Sequence, residues 1–351
     1  MNDLQGLDVL VAGSGAIGSV TALVLLRCGA KVRLADSAPL GDNASGVAAG
    51  MLAPVFECLL DPVSVDHFPL LAVARDAWPG LAETLPGGAD MIDRSGALYI
   101  PEDDAELAWQ ADRLQAFDPA REILPPVKLQ ALSPGLETWG PGLFTALDWR
   151  LEPPQALRAI RQAFVKEGGQ VSPEAVDLTG GHTADALVLA TGAAPLPERL
   201  LERSLLTPIK GQILRLEGAW PHAGPVARAP GVYVAPSSAG ALAGATMQEG
   251  LADRRIDPEA VARLRNAASR LYPALQRATV QAQAGVRAAT PDGLPLAGPS
   301  RGDARTLLAV GARRNGWLLA PVVADVVAAR LRGAPAGAFG EAFDPARFAS
   351  R

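Results

Sequence analysis

The chain predicts an α/β protein whose nucleotide-binding part is split along the sequence, with antiparallel sheet inserted between its pieces. Three observations carry this: a strand–glycine turn–helix–strand unit at the start, isolated apolar strands far downstream, and alternating polar and apolar runs between them. The opening unit runs from Leu7 to Ala12, through Gly13-Ser14-Gly15-Ala16-Ile17-Gly18, along an apolar stretch to Cys28, and into Lys31-Val32-Arg33-Leu34-Ala35-Asp36. Gly13 permits the tight turn, Gly15 lets a pyrophosphate approach the backbone, and Gly18 lets the helix pack close to the strand. The N–H groups at the helix start, around Ala16 and Ile17, face an anion with the positive end of the helix dipole behind them. Asp36 stands where a carboxylate accepts the hydroxyls of an adenosine ribose. A bare βα turn is the plain alternative, but strand, helix and acid all stand at the right spacing for a Rossmann-type dinucleotide site.

The remaining elements follow in order. The loop Gly41–Met51 is dense in small residues, which means that backbone runs close to something bulky. Residues 82–140 are punctuated by Pro and Gly and contain the strand-like Gly96–Ile100, so they read as part of a different domain. From Pro153 a helix is expected, with Leu157, Ile160 and Phe164 on one face. It leads into the strand-like Gln170-Val171, and Asp185–Gly192 reads as a buried strand closed by a glycine turn. Residues 206–250 alternate as antiparallel sheet does, as in Gln212–Leu216 and Gly231–Ala235. A helix over Pro258–Ala274 follows, with Val261, Leu264 and Ala268 on one face. The strand Leu307–Val310 then feeds a glycine-flanked turn and a last helix, expected to carry Pro321 in its first turn and a stripe of Val323, Val326, Val327 and Leu331.

Composition narrows the function classes. The 351 residues are 49% hydrophobic and 20% charged, with a formal net charge of −5, which gives no electrostatic reason to expect nucleic-acid or membrane partners. The abundance of Arg, Ala, Gly and Pro reads as coding bias, so single Arg or Pro residues carry less weight. No basic leader precedes the first strand, and no apolar run reaches the ~20 residues that span a bilayer. The 2 cysteines, Cys28 and Cys58, suit a reducing cytoplasm. His67, His182 and His222 are scattered, so neither a metal site nor a Ser-His-Asp triad is expected.

The chain resembles the D-amino-acid-oxidase family of FAD flavoproteins, and within it the glycine-oxidase branch of thiamine (thiazole) biosynthesis. The resemblance runs over nearly the whole chain. It is carried by GSGAIG at 13–18, ASGVAAGMLAP at 44–54, PIKGQIL at 208–214, GVRAATPDGLPLAG at 285–298 and RNGWLLAP at 314–321. It implies an FAD-binding domain of the discontinuous GR2 type over 1–80, 141–205 and 280–351, with an antiparallel substrate domain over 81–140 and 206–279. It also implies that Ser45, Ala49 and Gly50 follow the FAD phosphates, that Val176 lies near the adenine, and that Met51 sits beside the flavin. Thr191 and Gly192 close a strand common to FAD proteins. Asn315 and Gly316, at the start of the last helix, are the expected contacts of the flavin edge where reduced flavin carries negative charge.

Family likeness makes Arg287 the clamp for the substrate carboxylate, and the chemistry suits it, because a guanidinium forks both oxygens in one plane and keeps its charge when buried. Tyr233 aligns with the tyrosine that helps hold the same carboxylate, Arg314 with a second nearby arginine, and Met247 with the pocket lining. A salt-bridged surface arginine, a cross-strand tyrosine and a core methionine are the plain alternatives. Where glycine oxidases carry a His-aromatic pair this chain has Ala312-Arg313, so the pocket entrance differs in shape and charge. Val47 stands in the 44–54 loop with no histidine, so FAD is expected to be non-covalent.

The resemblance implies an oxidase that turns glycine, sarcosine or small D-amino acids into imines, with O2 reduced to H2O2. Two rivals stay open here: a broader D-amino-acid oxidase or dehydrogenase, and an oxidase of the kind that trims a modified tRNA base. The acidic balance counts against the second. A homo-oligomer, dimer or tetramer, is compatible with the sequence and not fixed by it.

Overall fold

A computed structural model describes residues 3–179, 182–218 and 224–348. The first strand, Asp8–Ala12, lies in the middle of a six-stranded sheet. It pairs in parallel with Lys31–Ala35 on one side and Ala186–Leu189 on the other, Val9 standing opposite both Val32 and Ala186. Gln170–Ser172 extends one edge, and Thr306–Val310 followed by the antiparallel Leu296–Pro299 extends the other. Strands covered on both faces read as unbroken apolar runs, which is why 8–12, 186–189 and 306–310 were legible. The helix Ala16–Arg27 packs on one face of the sheet beside Pro153–Lys166, whose Leu157, Ile160 and Phe164 are buried.

A nine-stranded sheet forms the second body of the fold. Its longest pair is Thr207–Glu217 against Thr279–Ala289, antiparallel and in register from Thr207 opposite Ala289 to Glu217 opposite Thr279. The hairpin Val226–Ala229, Val232–Ser237 and Gly240–Gly244 continues it towards Ala97–Tyr99 and Gly142–Thr145. Two boundaries expected from the sequence therefore move. Residues 280–289 belong to this sheet, because they pair with Thr207–Glu217 along their whole length, while Ala288 and Ala289 also bridge to Arg313 and Ala312. Likewise Gly142–Thr145, inside the expected 141–205 piece, pairs with Ala97–Tyr99. The Gly41–Met51 loop contains a short helix, Ala44–Val47, whose Ser45 and Gly46 N–H groups are capped by the Asn43 side chain.

The last helix also departs from expectation. It spans Gly316–Leu331, so Pro321 lies inside it and not in its first turn. Proline has no N–H to give the carbonyl four residues back, here that of Trp317. That oxygen instead accepts the indole N–H of Trp78 at 2.9 Å. The helix is buried nearly all round, Trp317 to Val323 and Val326 to Ala329 included, so the expected apolar stripe is too narrow. Among the described residues no helix is long and apolar enough to cross a membrane, and no cluster of His, Cys, Asp and Glu could hold a metal ion.

Candidate active site

A cleft of about 840 Å³ opens where the parallel sheet meets the antiparallel one. At one end it is lined by Gly13 to Ile17, with Ser45, Val176, Thr191 and Gly192 around them. Gly13 adopts φ +102, and a Cβ on it would strike the Ala190 carbonyl, so the turn admits only glycine. Gly18 does not line the cleft; it lies against the Gly13 carbonyl and lets the helix sit down on the strand. Ser45 Oγ accepts the Ala16 N–H at 2.9 Å, which leaves its own proton for a ligand. One Asp36 oxygen accepts from the N–H and hydroxyl of Ser14 at 2.7 and 2.8 Å, and the other from the Ala38 N–H at 2.9 Å. Thr191 Oγ1 is buried beside this end without a hydrogen-bond partner among the described residues.

The other end is cationic. Arg287 projects from the long strand Thr279–Ala289 into the cleft wall. Its guanidinium has no carboxylate partner among the described residues; its hydrogen-bond contacts are Thr246 O at 3.5 Å and Met247 Sδ at 3.4 Å. Burial pulls its pKa down from the usual arginine value, an effect opposed by the Tyr233 ring hydroxyl. Tyr233, on Val232–Ser237, has its pKa raised by burial against the pull of Arg287, so its hydroxyl stays protonated. Met51 packs on the same apolar cluster as Tyr233.

Arg314 lines the cleft too but is engaged: its guanidinium donates to Glu57 at 2.7 Å and lies 3.7 Å from Asp61. Arg313, at φ +49, pairs with Asp61 as well. Gly316 lines the cleft at the start of the last helix. Asn315 lies behind the lining, its amide 3.4 Å from Glu57. Ala49 and Gly50 also fall outside the lining: Ala49 is buried in the Tyr233 cluster, and Gly50 bonds back to Leu151. His67 bonds the Asp292 carbonyl and His182 the Ala184 carbonyl, both away from the cleft, while His222 lies outside the described residues.

The family model described as FAD dependent oxidoreductase matches residues 8–330. The chain belongs to that family. This FAD-dependent oxidoreductase is 34% identical to a putative thiamine biosynthesis oxidoreductase ThiO from Rhizobium etli, over 92% of its own length and 96% of the relative's. It is 28% identical to a glycine oxidase from Pseudomonas putida, over 93% and 95%. Its fold superposes on the crystal structure of glycine oxidase from Geobacillus kaustophilus with a TM-score of 0.80, covering 97% of each chain at 26% identity.

The residues present fit FAD. The helix N-terminus, the Ser45 hydroxyl and the orphaned Thr191 Oγ1 offer donors to phosphate and ribose, and Gly15 keeps that approach open, because any Cβ there would meet Ser45 Oγ at 3.1 Å. Trp317 ties the two halves of the oxidoreductase's site together: its indole donates to the Ser45 carbonyl at 3.0 Å.

Further residues shape the cationic end of the cleft. A Cβ on Gly211 would lie 2.5 Å from the Arg287 Cζ, and one on Gly244 would lie 2.5 Å from the Tyr233 hydroxyl, so both glycines make room for the cationic end. A glycine inside an alternating strand is the available signal for such a close approach. Arg228 is buried, with its Cζ 6.0 Å from the Tyr233 ring centroid. Its electrostatic partner is Asp148, whose two oxygens accept the Val55 and Phe56 N–H groups at 2.8 and 3.0 Å. No spacing in the sequence announces either.

Proposed function

We propose that this enzyme is an FAD-dependent amino-acid oxidase acting on glycine and small amino acids or amines, sarcosine and small D-amino acids among them. The observation that carries the reading is Arg287: a guanidinium in the cleft, beside a neutral tyrosine, with no carboxylate among the described residues against it. An unpaired charge so placed is costly unless a ligand completes it. A substrate carboxylate is the anion whose two oxygens match the guanidinium fork. Arg314 and Arg313 are already neutralised by Glu57 and Asp61, so Arg287 is the docking charge.

The chain's own work is orientation and the exclusion of water. Arg287 pins the carboxylate, and Tyr233, held protonated by burial, donates its hydroxyl to the same group. Met51 and Met247 restrict the space beyond the α-carbon. Among the described residues no histidine lines the cleft, so the amine enters in its neutral form without a protein base. Bound FAD supplies the hydride acceptor, and O2 is the final oxidant, giving H2O2. FAD is held without a covalent tether, and mild acid should release it intact. A role in thiamine biosynthesis draws support from the likeness to the Rhizobium etli protein.

Anaerobic titration of the yellow protein with a panel of amines tests the reading. Glycine, N-methyl- and N-ethylglycine, D-alanine and D-proline should bleach the flavin, with modest differences among them, since one methylene is worth ~1–3 kcal/mol in a tight pocket. L-amino acids should fail and D-phenylalanine should be poor. Rapid reduction by D-phenylalanine with none by glycine would replace this reading with a broad D-amino-acid oxidase. Reduction by no free amino acid would point instead to an oxidase of a modified tRNA base.

A further inference from the structure

The phosphate end of the cleft carries a charge imbalance. Its acidic lining residues are Asp36 and Asp42, and Arg254 is the one basic side chain there among the described residues. The other lining arginines, Arg287, Arg313 and Arg314, are gathered around Tyr233, Glu57 and Asp61 at the far end. A pyrophosphate adds further negative charge, against which a helix terminus supplies only about half a positive unit.

Arg254 arrives from the other body of the fold, on the loop between Gln248–Glu249 and the helix Pro258–Leu271. The loop is firmly anchored: Asp253 pairs with Lys210 Nζ at 2.9 Å and accepts the Arg255 N–H at 2.8 Å, and the Asp257 N–H donates to Gln212 at 2.8 Å. The Arg254 side chain, by contrast, is 49% exposed. Its Nε donates to the Ala284 carbonyl at 3.2 Å, and its terminal nitrogen donates to the carboxylate of Asp42, itself 49% exposed. Asp42 immediately precedes Asn43, the cap of the short helix that presents Ser45 to the cleft. A second hollow of about 720 Å³ behind this loop is also lined by Asp42 and Arg254, so the side chain has room on both sides.

We infer that Arg254 is the counter-ion of the cofactor's pyrophosphate, delivered across the junction of the two bodies, and that Asp42 parks it at the cleft mouth until FAD arrives. The inference rests on FAD binding and not on which amine is oxidised. Half-exposed ion pairs are weakly held, so the guanidinium exchanges Asp42 for phosphate oxygens readily, and phosphate suits its fork.

FAD dissociation from the holoenzyme, followed by recovery of flavin fluorescence on dilution, and FAD titration of the apoprotein test this at low and high NaCl. Arg254→Ala should raise the Kd for FAD about 10–100-fold at low salt and much less at high salt, with Arg254→Lys regaining part of the loss. Asp42→Asn should tighten FAD. Arg254→Ala within about twofold of wild type at low salt overturns the inference, as does a loss equal at every salt concentration. Should the apoprotein of Arg254→Ala melt lower than wild type, Asp42→Asn decides: tighter FAD supports the inference and weaker FAD overturns it. Substrate turnover enters none of these readouts, so an error in the proposed substrate leaves the test intact.

Discussion

Gly211 lies directly against the guanidinium of Arg287, across the antiparallel pair in which Gly211 stands opposite Gly285 and Ile209 opposite Arg287. The atom a side chain at 211 would meet is the end of a flexible arm, not backbone. Gly211→Ala should therefore fold, push Arg287 out of place, and lower kcat/KM by about 10²-fold while FAD stays bound. The melting temperature should move by only a few degrees. Unchanged turnover would mean that Arg287 does not need its present position.

Arg287→Ala should lose carboxylate substrates while keeping FAD. Loss of a charge-assisted fork in a desolvated site costs about 2–5 kcal/mol, hence ~10²–10³ or more in kcat/KM. Arg287→Lys should recover only a fraction, because an ammonium cannot fork a carboxylate. Near-wild-type efficiency in the Ala variant would move the docking role elsewhere, with Arg314 the first candidate.

The Trp78–Trp317 hydrogen bond exists because Pro321 cannot use the same carbonyl. Trp78→Phe should leave that buried oxygen unpaired and cost about 1–3 kcal/mol beyond lost packing. In a Pro321→Ala background the new N–H can take the oxygen, so the same Trp78 substitution should cost less. A double-mutant cycle by denaturant unfolding measures the difference. Equal costs in both backgrounds would refute the compensation.

Asp148 gives the fold a pH signature. Burial pushes its pKa up to about 6 from 3.8, against the pull of Arg228 and of the Phe56 and Val55 N–H groups. Between those values the native protein holds a proton that the unfolded chain has released. The contribution of Asp148 to stability is therefore largest below about pH 4 and falls as pH rises to about 6, by up to ~3 kcal/mol. The stability of wild type relative to Asp148→Asn should fall across that window and level off above it. A relative stability that rises with pH would show that Arg228 and the helix N–H groups keep the carboxylate ionised.

Parts of the molecule were legible because their rules are local. The glycine turn at 13–18, the acid at Asp36 and the apolar strands 186–189 and 306–310 follow from backbone sterics and two-sided burial. Elsewhere the deciding partner is remote. Pro321 sits inside a helix because Trp78 supplies the missing donor, and residues 280–289 join the antiparallel sheet because Thr207–Glu217 offers a full-length register. Arg314 carried the family's pattern, yet nothing nearby in sequence revealed that Glu57 would occupy it. The helix Pro54–Leu60, which holds Glu57, is too brief to impose a period.

The central position of Asp8–Ala12 has a consequence for synthesis on the ribosome. The strand emerges first, yet one of its two neighbours is Ala186–Leu189, and the sheet beyond that needs Thr306–Val310. A nascent chain that has passed residue 35 holds the whole glycine turn but only one edge of the sheet that keeps it rigid. The helix from Gly316, which completes the far wall of the cleft, leaves the exit tunnel last of all these pieces. The cleft wall is thus complete only once Trp317 has been made, and a chain halted in its first half leaves the Asp8–Ala12 edge without Ala186–Leu189, an apolar edge open to wrong pairing.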